Sequence, residues 1–436
     1  MVPRNDLVRR HNYTIMIFAM AKPFEFRCPV HGFIEVDAWE REIISQPAFQ
    51  RLRRIRQLGW TGYIYPGATH TRFEHSLGVM HVATRLFDAI VERSAGLLQE
   101  AFGYESFDRH RRIVRLAALL HDLGHGPFSH AAEELLPAKP SGVKFKHEAY
   151  SAAIVRGPLR SAIEEHQVNQ ANFAIKADEI ADLLEDSSKA AGIVFWRELI
   201  DSQMDADRLD YLLRDSYHLG VRYGRYDVDR IANTICAVPG EEGKAPRIGV
   251  SEGGWHAAES MVLARYYMFA QVYFHKTRVA YDHHIVEAMK LILPNGTFPK
   301  PQNNGVAEYL KWDDWKSLGC LANGKGDDHG RRLRERDHYR MAFGTTEHPE
   351  PSEIDQLKAV RDQLGTVVRH EMTSTKSWYA KDKPQIRVLT DEGHGRDLST
   401  LSLPVANIGG HDQTFLYVDK GDVEEARKLI GEVDNV

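Results

Sequence analysis

Apolar residues recur at helical spacing along most of the chain before residue 293. Ile113, Leu116 and Leu120 fall at i, i+3 and i+7, which predicts one face of a helix that ends at His121. The apolar positions of 255–292 predict either one long helix or a kinked pair of helices. No internal repeat is visible.

The pattern changes after the segment 293–305, which is rich in Pro, Gly and Asn and is typical of a boundary. Residues 385–389 and 414–418 read as strands, and apolar residues spaced three and four apart predict a final helix beginning near Val423. The sequence therefore predicts a mostly α fold, in which a helical catalytic core is followed by a smaller α+β C-terminal lobe. We expect an N-terminal extension at 1–19, the core at 20–294 and the lobe at 295–436.

The composition is that of an ordinary globular protein, since 43% of the 436 residues are hydrophobic and 27% are charged. A net charge of −5 argues mildly against a broad surface that coats nucleic acid, although it leaves room for a local basic pocket. The three scattered cysteines predict neither a disulfide framework nor a cysteine zinc site, which fits a cytoplasmic protein. No apolar run approaches the roughly 18–20 residues of a membrane span, so no membrane partner is expected.

The densest chemistry lies in the run HDLGHGPFSH, which begins at His121 and holds three imidazoles and one carboxylate. Its glycines and proline end the preceding helix. A divalent metal is the natural ligand of adjacent His121 and Asp122, since it accepts imidazole nitrogen and carboxylate oxygen together. His75 in RFEHS and Asp207 in DADRLDY offer two further ligands on separate predicted helices. The other His-Asp pair, at 411–412, is interpreted as chance.

The order H…HD…D, with the flanking runs FQRLRRIRQLG, YPGATHTRFEHSLGV and DADRLDYLLRDSYHLG, resembles the HD-domain phosphohydrolase superfamily. Within it the chain is similar to the deoxynucleoside triphosphate triphosphohydrolase branch, from about Phe24 to Ile292. The resemblance implies an HD-domain core that is metal-dependent and a dNTP substrate that yields a deoxynucleoside and tripolyphosphate. The expected metal ligands are His75, His121, Asp122 and Asp207. This mixed set leaves Fe, Mn, Ni, Zn and Mg open.

The resemblance also implies the residues that hold the phosphates and move protons. The expected phosphate pocket has three histidines, and one of them works with the Glu133 carboxylate on the proton of the water or the leaving group. The family often has Asp where Glu133 stands. The histidines are His125, His130 and His147. The cations expected at the triphosphate are Arg72, Arg208 and Arg265, whose planar guanidinium groups suit phosphate.

A sugar pocket is expected along the helix of Asp207, since Tyr211 and Asp215 follow at i+4 and i+8 on the same face. The ring of Tyr211 would pack on the sugar, and Asp215 would accept a hydrogen bond from a 3′-hydroxyl. The alternative is a surface stripe. By resemblance, Gln57 shares that hydroxyl, and the side chains expected to crowd the 2′ position are Leu58 and Tyr273. Because Phe274 follows Tyr273 where relatives carry a polar residue, base preference does not carry over.

A nucleotide activator is a further partner that the resemblance implies. Ser45 stands where regulated relatives use an Asp to read guanine, so strong guanine selectivity is not expected. The sequence also predicts a basic helix that meets phosphate, meets another subunit or faces solvent, and its arginines are Arg51, Arg53, Arg54 and Arg56. We expect a homo-oligomer, either a dimer or a tetramer.

Two alternative functions use the same residues differently. A nuclease or phosphomonoesterase acting on DNA or RNA ends would employ the same metal and arginines. A non-enzymatic nucleic-acid-binding module would rely on the basic run at 331–340, although acidic residues interrupt it. The intact ligand set favours an enzyme, because a pure binding protein does not need a metal-water site.

Overall fold

The computed structural model describes residues 24–185, 193–241, 244–374, 376–377, 379 and 384–433. The expected N-terminal extension at 1–19 lies outside these residues. None of the described helices combines the length and the apolar character needed to cross a lipid bilayer. The three cysteines are all unpaired.

The described part of the chain begins with an antiparallel hairpin and continues into helices that surround one long central helix, α3. The elements up to residue 292 are β1 Phe24–Cys28, β2 Gly32–Val36, α1 Ala38–Ser45, α2 Pro47–Gln50, α3 Arg72–Phe102, α4 Asp108–Leu120, α5 His147–Arg156, α6 Arg160–Glu164, α7 Gln167–Asn172, α8 Ala177–Glu185, α9 Val194–Arg197, α10 Ala206–Leu219, α11 Val228–Thr234, β3 Ile235–Val238, β4 Arg247–Ser251, α12 Trp255–Met268 and α13 Lys276–Ile292.

Short helices and small sheets alternate in the rest of the chain. They are α14 Gly305–Leu310, α15 Asp314–Ala322, α16 Asp327–Glu335, β5 Arg340–Gly344, α17 Pro351–Leu364, β6 Val368–Thr373, β7 Lys376–Ser377, β8 Arg387–Leu389, β9 Gly395–Asp397, α18 Leu398–Leu401, α19 Leu403–Asn407, β10 Gly410–His411, β11 Thr414–Val418 and α20 Val423–Val433. The predicted fold class, a helical core with a smaller α+β part, is confirmed.

The sheets tie distant segments together. Strand β11 lies between β5 and β6 and is antiparallel to both. On one face Leu416 packs against α17 and α20, and on the other face Phe415 stacks on Phe274. A second sheet has the order β3-β4-β8-β9, with β4 and β8 parallel. The predicted strand at 414–418 and the predicted final helix are confirmed, and the predicted strand at 385–389 is confirmed in its last three residues.

The central helix α3 begins with a capping box, in which Thr71 and Glu74 exchange side-chain and backbone hydrogen bonds. It packs against α4 and α10, and buried residues such as Phe87 and Ile90 line those contacts. Helix α4 ends at His121, as its apolar spacing predicts. Three helices thus converge where the HD pair stands.

The segment predicted as one long helix or a kinked pair is a kinked pair. Helices α12 and α13 are joined through a π-helical turn at Phe269–Tyr273. Such turns insert an extra residue and re-aim the side chains that follow, and they are frequent at functional sites. Here the turn carries Tyr273 toward α10.

The helices that follow the boundary segment 293–305 pack directly on the loop after His121. Tyr309 donates its hydroxyl hydrogen to the Gly124 carbonyl at 2.6 Å, and the Asp314 carboxylate accepts from the Phe128 amide at 2.8 Å. The proposed limits of the core and the lobe at 294/295 therefore remain a prediction about domains, while α14 and α15 support the loop of the core.

Four histidines meet where α13, α16 and β6 pack together. The Tyr339 amide donates to Nε2 of His284 at 3.1 Å, so that nitrogen carries no proton and the His284 proton lies on Nδ1. Nδ1 of His284 then donates to Nδ1 of His329 at 2.9 Å, and the rings of His283 and His370 stack 3.9 Å apart. These contacts indicate that the histidines of the cluster are neutral and that they hold α13, α16 and β6 together.

This cluster should make the protein less stable in acid. Burial, followed by neighbouring positive charge, lowers the pKa of His283 to about 3 and that of His284 to about 2. The unfolded chain takes up protons near the ordinary histidine pKa of about 6.5, so the contribution to stability is full above that pH and is lost as the pH falls toward the folded values. Urea unfolding between pH 8 and pH 5 should show this loss. The His283→Gln variant should flatten the dependence, whereas exposed His394→Gln should keep the wild-type slope, and equal slopes in all three would contradict the assignment.

Candidate metal centre

The four predicted metal ligands come together from α3, the end of α4 and the start of α10. Nε2 of His75 lies 3.0 Å from Oδ1 of Asp207 and 3.5 Å from Oδ2 of Asp122. Nε2 of His121 lies 3.2 Å from Oδ1 of Asp122. His75, Asp122 and His121 are buried, and the side chain of Asp207 is 34% exposed. Two imidazoles and two carboxylates therefore converge on one small volume.

Each histidine of this group is fixed by a hydrogen bond on its far side. Nδ1 of His75 donates to the Asp210 carboxylate at 2.7 Å, and Nδ1 of His121 donates to the Ala118 carbonyl at 2.8 Å. Both Nε2 atoms are buried and have no hydrogen-bond partner among the described residues. A divalent metal binds imidazole lone pairs and carboxylate oxygens that point into the same space, as the two Nε2 atoms and the neighbouring carboxylates do here. A hydrogen bond on the other ring nitrogen is typical of a ligating histidine. The residues fit such an ion.

The charges in this group also favour a cation. Burial opposes protonation of His75, but the carboxylates of Asp207 and Asp210 beside its two ring nitrogens and the Asp122 charge raise its pKa to about 10. Burial likewise works against the Asp122 carboxylate, yet the Arg72 and histidine charges hold its pKa well below the usual range. Since ligands must lose their protons to bind a metal, metal binding here should release protons.

A second chain of polar groups leads away from Asp122. Nε2 of His125 lies 3.3 Å from Asp122, and the rings of His125 and His147 stack with centroids 3.9 Å apart. Glu133 then bridges two imidazoles, at 2.8 Å from Nδ1 of His147 and 3.2 Å from Nδ1 of His130. The predicted proton-handling residues are thus contiguous with the predicted ligands, with His130 the most exposed of them.

The pKa values of the two stacked histidines are shifted in opposite directions. Burial, together with the Arg72 charge, holds the pKa of His125 well below its usual value. Burial also opposes a charge on His147, but its hydrogen bond to Glu133 and nearby carboxylates raise its pKa. The closeness of these rings depends on Gly124, because a Cβ there would lie 2.0 Å from the His147 carbonyl oxygen. A pair of groups with divergent pKa values is the usual sign of an acid and a base in one site.

The arginines predicted to bind the triphosphate differ in how many of their N–H donors are already used by other residues. Arg72 pairs with Asp122 and donates from Nε to Ser129 at 2.9 Å, while its buried Nη2 has no partner among the described residues. Arg208 pairs with the buried carboxylate of Asp205, the residue that caps α10. Arg265 donates to Gln203 at 3.4 Å. Arg72 and Arg208 therefore each have an unused buried donor beside the metal ligands, which in Arg208 is the Nε atom.

The predicted sugar residues gather two turns further along α10. The Tyr273 hydroxyl donates to Oδ2 of Asp215 at 2.6 Å, and the rings of Tyr211 and Tyr273 meet edge to face with centroids 6.1 Å apart. Gln57 lies in the same region, where its backbone N–H donates to the His70 carbonyl at 3.0 Å. Its side-chain oxygen is buried and has no hydrogen-bond partner among the described residues. Leu58 follows Gln57 and is also buried.

Three residues of this region were not found by sequence reasoning. His70 lies 2.7 Å from Oδ1 of Asp215, Asp210 holds His75, and His31 lies 2.6 Å from Asp210. Asp210 carried a local signal, since it stands one turn after Asp207 on the same helix. His31 and His70 lie in short connecting segments, where no periodicity points to their partners.

Two basic segments differ from their predicted roles. Arg51 does not face phosphate, another subunit or solvent, because it is buried and its guanidinium donates to the carbonyls of Leu123, His125 and Trp312. The predicted basic helix is a short α-helix followed by a 3₁₀ turn at Arg51–Arg54.

Two of the five arginines in 331–340 are paired with acidic residues. Arg331 pairs with Asp328, Glu335 and Asp337, and Arg332 pairs with Asp328 and Asp419. This pairing weakens the main support for a nucleic-acid-binding module.

Comparison with known protein families identifies two consecutive regions. Residues 72–212 match the family described as HD domain, and residues 227–365 match the family described as HD associated region. The first match begins at Arg72 and ends just after Tyr211, so it contains all four predicted metal ligands. The two matches together cover more than half of the chain.

Curated proteins and solved structures are similar to this chain. The uncharacterised protein YwfO of Bacillus subtilis is 37% identical over 254 residues, which are 57% of this chain and 51% of that protein. The deoxynucleoside triphosphate triphosphohydrolase SAMHD1 of Gallus gallus is 33% identical over 225 residues, which are 47% of this chain and 35% of that protein. The chain thus matches at most about half the length of these relatives. A crystal structure of a hypothetical protein from Aquifex aeolicus superposes with a TM-score of 0.75 at 28% identity, and covers 94% of this chain and 100% of that one.

Proposed function

Because the chain belongs to the HD-domain superfamily of metal-dependent phosphohydrolases, we propose that it hydrolyses deoxynucleoside triphosphates to a deoxynucleoside and tripolyphosphate. The observation that supports the proposal is that one helix, α10, carries both a candidate metal ligand and residues of the candidate sugar site. Asp207 and Asp215 are eight residues apart, which is about 12 Å along the helix axis. A nucleotide can span this separation with its phosphates at one end and its 3′-hydroxyl at the other.

The chemistry at the phosphate end follows from the groups around the metal ligands. When bound, a divalent ion supplies Lewis acidity toward a phosphoryl oxygen and lowers the pKa of a water. Arg72 directs its unused Nη2 to a phosphate oxygen. Water adds to the α-phosphorus and gives one proton to neutral His125, the bond to the 5′-oxygen breaks, and His147 donates its proton to that oxygen. Because His125 is neutral before the reaction, the two rings can stack without like-charge repulsion.

The burial of the ligands favours a free nucleotide over a nucleic-acid end. A nuclease or phosphomonoesterase would need an open approach to the metal, whereas His75, His121 and Asp122 are buried. The test is to incubate the purified protein with each dNTP, each rNTP and short single-stranded DNA, with Mn²⁺ present, and to resolve products by ion chromatography. Tripolyphosphate from dNTPs is expected. Shortened or dephosphorylated DNA with intact dNTPs would refute the proposal.

The sugar pocket should make the enzyme prefer deoxyribose. Leu58 and Tyr273 leave no space for a 2′-hydroxyl, so kcat/KM should be far higher for dNTPs than for rNTPs. Leu58→Ala opens space at that position and should raise the relative rate on rNTPs by about tenfold or more, which is the usual range for small changes in a packed pocket. Leu58→Met keeps the volume and should keep the selectivity. Equal rates for ribo and deoxy substrates in the wild type would contradict this pocket.

A further inference from the structure

The turn between β1 and β2 reaches the back of the metal centre through one side chain. Nε2 of His31 lies 2.6 Å from Oδ1 of Asp210, although the two residues are separated by 179 positions in the sequence. Both side chains are buried, at 3% and 0% exposure. A hydrogen bond of this length between two buried groups ties the hairpin to α10.

Asp210 in turn is held on both of its oxygens. Oδ2 accepts from Nδ1 of His75 at 2.7 Å and from Nε of Arg214 at 2.8 Å, while Oδ1 accepts from Nη2 of Arg214 at 2.7 Å in addition to His31. Each oxygen is therefore bonded by one imidazole and by the same guanidinium. The carboxylate has no freedom to rotate, so it fixes the plane and the tautomer of the His75 ring.

The Asp210 carboxylate is tightly packed. Gly78 lies one turn after His75 on α3, and a Cβ at that position would stand 1.9 Å from Oδ1 of Asp210 and 2.3 Å from Nη2 of Arg214. The guanidinium of Arg214 also contacts Sγ of Cys28 in β1, at 3.5 Å. The hairpin thus touches the Asp210–Arg214 pair at two points, and α3 closes on the same pair.

We propose that the β1–β2 hairpin is part of the metal centre and that His31 is a positioning residue for the ligand His75. By holding Oδ1 of Asp210, His31 keeps Oδ2 aimed at Nδ1 of His75, which leaves Nε2 unprotonated and directed at the metal. The inference rests on the proposed metal centre and adds to it a chain of three residues, His31, Asp210 and His75. Partners of this kind typically contribute 10–100-fold to metal affinity.

The experiment measures Mn²⁺ binding to metal-free full-length protein by calorimetry, and Co²⁺ binding by visible absorption, with no substrate present. His31→Ala should weaken Mn²⁺ about 10-fold or more and alter the Co²⁺ spectrum. His31→Gln keeps an N–H donor near the Nε2 position and should restore affinity to within a few-fold. His81→Ala is the matched control, because its ring packs 5.3 Å from His31 without a hydrogen bond to Asp210 among the described residues.

The outcomes separate this inference from the proposed function. A wild type that binds Mn²⁺ and a His31→Ala variant that binds it equally would overturn the role of the hairpin alone. A wild type that binds neither ion would overturn the metal centre itself. Loss of affinity in His81→Ala equal to that in His31→Ala would show a general packing effect and would also overturn the inference. If His31→Ala does not fold, His31→Asn tests the same bond, since its amide corresponds to Nδ1 and cannot reach Asp210.

Discussion

Replacing both His121 and Asp122 with alanine should abolish metal binding and reduce dNTP hydrolysis to background. These residues supply an imidazole and a carboxylate to the same small volume. The loss is expected to be complete rather than partial, because Arg72 also loses its carboxylate partner and its charge remains buried. Elemental analysis of the purified variant and a tripolyphosphate assay measure the two effects.

The control for this variant removes the same residue types elsewhere. Asp391 and His394 lie in an exposed turn before β9, and their double replacement with alanine should leave metal content and rate unchanged. Circular dichroism of both variants checks that the helical core is intact. Full activity in a folded His121→Ala/Asp122→Ala protein would contradict the assignment of the metal centre.

His147→Ala should lower kcat by about 10²–10⁴, the usual contribution of a positioned acid. Since its hydrogen bond to Glu133 helps to raise the His147 pKa, the protonated form extends to higher pH than in an ordinary histidine and is lost as the pH rises through that raised value. The rate should therefore fall on the alkaline side. Glu133→Gln removes the acceptor charge, lowers the His147 pKa and should move this fall to lower pH. A profile of kcat against pH for the wild type and both variants makes the measurement.

Two further variants identify which group donates the proton. Glu148→Gln removes a carboxylate that lies 3.6 Å from Nδ1 of His147, and it should shift the alkaline limb less than Glu133→Gln does. His130 shares Glu133 but is largely exposed, so His130→Ala should cost less than His147→Ala. A greater loss in His130→Ala would assign the proton to His130 and contradict this account.

The features that the sequence predicted correctly depend on the spacing of apolar residues within one segment. The end of α4 at His121 follows from apolar residues on one helix face, and β11 follows from five consecutive residues that are buried on both faces. The kink at 269–273 was left open because apolar spacing alone does not distinguish a continuous helix from a π-helical turn. The turn serves a contact with α10, which lies far away in the sequence.

The features that the sequence did not predict depend on partners from distant segments. Arg51 is buried because three carbonyls from two other segments accept its hydrogens, and a run of arginines gives no sign of that environment. The sequence around His31 likewise does not indicate its partner, since that partner is the Asp210 carboxylate on α10. Motif resemblance supplied the candidate ligands, whereas the hydrogen bonds that orient them required the folded chain.

The most direct test of the central claim is hydrolysis of a dNTP in ¹⁸O-labelled water with Mn²⁺, followed by mass spectrometry of the products. Attack on the α-phosphorus with loss of the 5′-oxygen predicts one ¹⁸O in tripolyphosphate and none in the deoxynucleoside. Label in a deoxynucleoside monophosphate released with pyrophosphate, or in the 5′-hydroxyl of the deoxynucleoside, would contradict the account.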